Sequence, residues 1–67
     1  AIEQYKIAVS LAPGYVRAHI NLGEAYEKKG LLDQALEQYR TAVKLDPENP
    51  TWRKNLAEAY GKKRRSR

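Results

Sequence analysis

The chain predicts an all-α fold in which short antiparallel helices stack as a repeat solenoid, and three observations carry that prediction. It matches itself at a spacing of 34 residues: laying residues 1–33 over 35–67 gives 15 identities in 33 pairs, among them Glu3/Glu37, Tyr5/Tyr39, Ala8/Ala42, Pro13/Pro47, Asn21/Asn55, Glu24/Glu58 and Tyr26/Tyr60. A period of this length marks units that bury their apolar faces on one another. Apolar residues recur at spacings of three and four with no alternating segment, which selects helix over strand. Proline and glycine punctuate the sequence at Pro13-Gly14, Gly30 and Pro47 to Pro50, leaving segments of helical length between them.

The first helix spans about residues 1–11, with Ile2, Tyr5, Ala8, Val9 and Ala12 as its stripe, and Pro13-Gly14 ends it. The second runs from about Tyr15 to Lys29 with His19, Leu22, Gly23 and Tyr26 on one face. Glu24 and Glu27 are spaced to pair with Lys28, and Gly30 is placed as the C-terminal cap. The third covers about Leu31 to Leu45, buries Leu32, Ala35, Leu36, Tyr39, Ala42 and Val43, and has Asp33 at its positive end. Asn49 followed by Pro50 reads as the cap and first residue of a fourth helix. That helix is expected to run to about Lys62 with Leu56, Ala57 and Tyr60 inward, and the polar residues beyond are expected to fray.

Composition narrows the function classes. A core in a 67-residue chain barely offsets an ordering cost of about 1.5 kcal/mol per residue. The chain has no cysteine, so no disulfide staples it, and neither a metal-ligand cluster nor a cofactor motif is present. There is no apolar run of roughly 18 residues to span a membrane. The lack of cysteine and of a signal peptide favours a cytoplasmic or nuclear setting, and the absence of methionine, even at position 1, reads as a processed, excised or engineered chain. Lys62, Lys63, Arg64, Arg65 and Arg67 account for the whole net charge of +5, so nucleic-acid binding is expected only through the Lys62–Arg67 tail, if at all. The catalytic reading is poor: His19 is the single histidine, its face points to the core, and no nucleophile is paired with it.

The spacing His19-x2-Leu22-Gly23-x2-Tyr26, then Ala35-x3-Tyr39, Ala42 and Pro47, resembles the tetratricopeptide repeat. On that resemblance residues 1–61 form one helical repeat unit: a half repeat at 1–15, a full repeat at 16–49 and a half repeat at 50–61, followed by the basic tail at 62–67. The family's tryptophan position holds His19 and Arg53, Trp52 sits one residue early, and Ala57 replaces the family's glycine.

The resemblance implies a short right-handed superhelix whose first helices line a concave face that holds a protein or peptide partner. On this chain that face comprises Arg17, Ile20, Asn21, Glu24, Glu27 and Lys28, then Thr51, Lys54, Asn55, Glu58 and Lys62. Asn21 and Asn55 stand one repeat apart, and an amide can both donate to and accept from a peptide main chain. Such an asparagine ladder resembles the groove of the O-linked N-acetylglucosamine transferase repeats. The two-carboxylate clamp of chaperone-binding members is broken here by Ile20, Glu24, Thr51 and Asn55. The terminal helices leave complementary stripes open, Tyr5 and Ala8 at one end and Leu56 and Tyr60 at the other. Pairing of these ends between copies, as a swapped dimer or a filament, is the alternative to a peptide-binding module.

Overall fold

The computed structural model describes residues 2–65 and consists of four helices, α1 (Ile2–Leu11), α2 (Val16–Lys28), α3 (Leu32–Leu45) and α4 (Pro50–Arg65). Each helix packs on its neighbours in sequence: α1 on α2, α2 on α3, α3 on α4, with α2 and α3 the most extensively packed pair. Among the described residues there is no strand.

Each helix stops where local chemistry stops it. At the end of α2, Gly30 takes φ 80°. Its N–H bonds the Glu27 carbonyl at 2.9 Å and the Leu31 N–H bonds the Tyr26 carbonyl at 2.9 Å. These are the paired bonds of a Schellman turn, which needs a left-handed residue that glycine supplies without a Cβ clash. At the start of α4 the Asn49 side-chain oxygen accepts from the Thr51 N–H at 2.9 Å, so Asn49 caps the helix and Pro50 leads it as expected. Asp46 organises the preceding turn, its Oδ2 accepting from Trp52 Nε1 at 3.0 Å and from Asn49 Nδ2 at 3.2 Å.

The core lies between α2, α3 and α4. Ile20, Ala35, Leu36, Tyr39, Ala42 and Ala59 are buried together, with Val16, Tyr26, Trp52 and Leu56 packed against them. Small residues at crossings let the backbones approach while Tyr39 fills the space beside them. At Gly23 the fit is tight: an added Cβ would stand 2.6 Å from Cε1 of Tyr39.

Several sequence expectations are corrected. Ile20, placed on the concave face, belongs to the core at 4% exposure. On α4 the inward residue is Ala59, whereas Ala57 and Tyr60 are exposed, because α4 packs mainly on α3 and turns its buried face toward it. Ala12 falls beyond α1 and is exposed. The fourth helix continues past Lys62 to Arg65, and Ser66 and Arg67 lie outside the described residues. Ion pairs explain the extension, since Lys62 reaches Glu27 of α2 at 3.0 Å and Lys63 pairs with Asp33 at the start of α3.

Candidate partner-binding faces

The seven candidate contact residues of the concave face divide into two shallow grooves and two outliers. Asn21, Glu24 and Lys28 lie one helical turn apart along α2, and with Tyr5 of α1 and Ala25 they line a groove between the first two helices. Lys54 and Glu58 line a second groove on α4 with Ala57, Gly61, Lys62 and Arg65. Arg17 is exposed and Asn55 half-buried, and neither lines these two grooves. The two grooves share one pair of repeat-equivalent residues, Glu58 standing 34 positions after Glu24 and Lys62 after Lys28, while their other lining residues differ.

Tyr39 of α3 connects them. Its hydroxyl donates to Glu27 Oε1 at 2.7 Å. The phenol is pushed well above its ordinary value near 10, first by burial, then by the bond to Glu27 and by the negative charges of Glu27, Glu24 and Glu58. Glu27 of α2 accepts from the Tyr39 hydroxyl with one oxygen and pairs with Lys62 of α4 through the other. Glu27 thus ties α2 to α3 and α4, and this corrects its expected pairing with Lys28. Sequence spacing could not reveal this role, because both of Glu27's partners lie on other helices.

His19 is buried at 5% exposure. Its Nε2 donates to the Pro13 carbonyl at 2.7 Å and its Nδ1 lies 2.8 Å from the Gln38 side-chain amide. With both ring nitrogens engaged it fastens the α1–α2 turn to α3 in place of the tryptophan usual at this position. Trp52, one residue displaced, packs its ring on the core edge and bonds Asp46 instead. Among the described residues there is no group of acidic, histidine or cysteine side chains suited to a metal ion. No helix among them is long and apolar enough to cross a membrane.

The four assembly residues sit at the two ends of the stack. Tyr5 and Ala8 are half-buried on α1, Leu56 is half-buried on α4, and Tyr60 is 40% exposed.

A family profile described as tetratricopeptide repeat matches residues 16–49, and a second, described as TPR repeat, matches residues 1–30. Among curated proteins the chain is similar to the tetratricopeptide repeat domain-containing protein PYG7, chloroplastic, of Arabidopsis thaliana, at 60% identity over 35 residues. That match covers 52% of this chain and 12% of the relative, so the chain spans a small part of the relative's length.

Proposed function

The chain belongs to the tetratricopeptide repeat family, whose members generally mediate protein–protein interaction and are typically not enzymes, and from that premise we propose that it holds an extended peptide segment across the grooves of α2 and α4. The observation that carries this reading is the recurrence of a groove-lining acid–base pair, Glu24 with Lys28 and Glu58 with Lys62, at the repeat spacing. An extended chain advances about 3.3 Å per residue and exposes main-chain donors and acceptors along its length. Asn21 can bond both kinds, while Glu24 and Glu58 accept and Lys28 and Lys54 donate. The experiment is amide chemical-shift mapping of the labelled chain against pooled random peptides. Shifts should concentrate at Asn21, Glu24, Lys28 and Glu58, and Asn21→Ala should weaken capture by about 1 kcal/mol. Shifts confined to the outer surface of α3 would show that the groove is not the site.

A second reading, self-assembly through the ends, draws on the exposure of Leu11 at 80%, Ile7 at 56% and Tyr60 at 40%. It predicts a solution mass that rises with concentration and falls back to monomer in Tyr60→Asp. A constant mass across a hundredfold range removes it. For location the proposal is a cytoplasmic or nuclear protein, tested with a fluorescent fusion; import into plastids would assign it instead to the compartment named for its Arabidopsis relative.

A further inference from the structure

Among the described residues His19 is the one buried polar side chain, and its two bonds fix where its protons can sit. A carbonyl oxygen only accepts, so the 2.7 Å contact with Pro13 requires a hydrogen on Nε2. In the neutral ring Nδ1 then holds a lone pair and needs a donor. In the protonated ring Nδ1 holds a hydrogen and needs an acceptor. Gln38 stands 2.8 Å from Nδ1, and its amide supplies both, an NH2 at one end and a carbonyl at the other. The torsion that exchanges the two ends is broad and roughly two-fold, so the exchange leaves the rest of the side chain in place. The carbonyl end faces the ring in the structure, the pairing suited to the protonated form. Tryptophan, usual at this position, has a single N–H for Pro13 and nothing to offer Gln38.

The surroundings leave the exchange to this pair. Arg17 on α2 and Glu37 on α3 are the nearest charged residues along the two helices, and both are exposed. One turn to either side of His19 and of Gln38 there is no charged residue, and Tyr15 supplies the only titratable group. The end of α1 that leads into Pro13, from Ser10 to Ala12, is uncharged. Gln38 is half-buried. Its second amide group meets water, because among the described residues no buried side-chain nitrogen or oxygen lacks a partner.

We propose that Gln38 is a proton-coupled partner of His19. Its amide gives NH2 to the neutral ring and turns to give its carbonyl when Nδ1 takes a proton from water. The α1–α2 turn stays fastened to α3 in both states, while the group that Gln38 shows to solvent changes from carbonyl to NH2. A buried protonation is thereby reported on the surface of α3 as a change from acceptor to donor. Neither residue lines the two peptide grooves, so this device stands or falls apart from them.

The test is nuclear magnetic resonance of the labelled whole chain between about pH 5 and pH 8. His19 is the single histidine, so its ring signals are unambiguous, and Gln4 and Gln34 serve as references. The side-chain NH2 signals of Gln38 should move with the same midpoint as the His19 ring while those of the reference glutamines stay still. The α1 amide signals should persist through the transition. In His19→Trp the Gln38 signals should no longer respond to pH. In Gln38→Leu a protonated ring has a buried N–H with no acceptor, so the unfolded chain takes up the proton more readily and stability falls with acid. Between pH 8 and pH 5 the folded-to-unfolded ratio of this variant should drop at least about tenfold further than that of the unchanged chain. Gln38 signals that ignore the ring's titration, a response shared by all three glutamines, or loss of the α1 signals in step with the ring each overturns the proposal. So does a pH profile of stability in Gln38→Leu that matches the unchanged chain.

Discussion

Gly23→Ala sets two known effects against each other. Alanine is favoured over glycine in a helix interior by about 1 kcal/mol, so the substitution on an open helix face would stabilise the protein. At Gly23 the new methyl would stand 2.6, 2.9 and 3.1 Å from Cε1, Cδ1 and Cζ of Tyr39. Carbon atoms pack comfortably at about 3.5–4.0 Å, so ring or helix must shift by nearly 1 Å. The ring cannot yield freely, since Tyr39 is 1% exposed and its hydroxyl is held by Glu27. Overpacking of this kind costs about 1–3 kcal/mol, leaving a net destabilisation between zero and about 2 kcal/mol. In a domain this small each kcal/mol moves Tm by about 4–8 °C. Urea and thermal melts followed by helical circular dichroism measure it, and the double variant Gly23→Ala/Tyr39→Leu should lose less than the sum of the two single variants. A full stabilisation of about 1 kcal/mol in Gly23→Ala would refute the reasoning, because it would mean that the ring offers no resistance.

Other predictions concern the bonds between elements. The Tyr39 phenol is raised in the folded state, so its contribution to stability is complete below pH 10 and is lost as pH climbs beyond that value. Tyr39→Phe should flatten that alkaline loss in pH-dependent melts, while at neutral pH it should cost about 1–2 kcal/mol for the bond taken from Glu27. Asp46→Ala removes the acceptor shared by Trp52 and Asn49. It should destabilise the α3–α4 turn by about 1–3 kcal/mol and change the Trp52 emission spectrum, the single tryptophan being the probe. Gly30→Ala places a Cβ at φ 80° and should cost about 1 kcal/mol or more in the same melts, although nothing crowds that position.

The helices, their order and most of their ends were determined by the sequence alone. The 3–4 spacing, Gly30 as a cap and Asn49-Pro50 as a helix start are local signals, because they act on backbone bonds within a few residues. The core stripe of α3 was legible for the same reason, since α3 packs on both sides and its period reports directly on burial. The stripe of α4 was misread: Ala59 is buried and Tyr60 is not, because α4 buries only the face turned toward the preceding helices, and periodicity does not say which face that is. The repeat pattern named Asn21, Glu24, Lys28, Lys54 and Glu58 as candidate contacts, while Glu27 passed for a surface charge. Only the tertiary structure brought its carboxylate to Tyr39 and Lys62, residues 12 and 35 positions away in sequence. An ion pair between helices depends on crossing geometry rather than spacing along either helix. The same geometry decided that the basic residues Lys62 and Lys63 are anchored to the folded body.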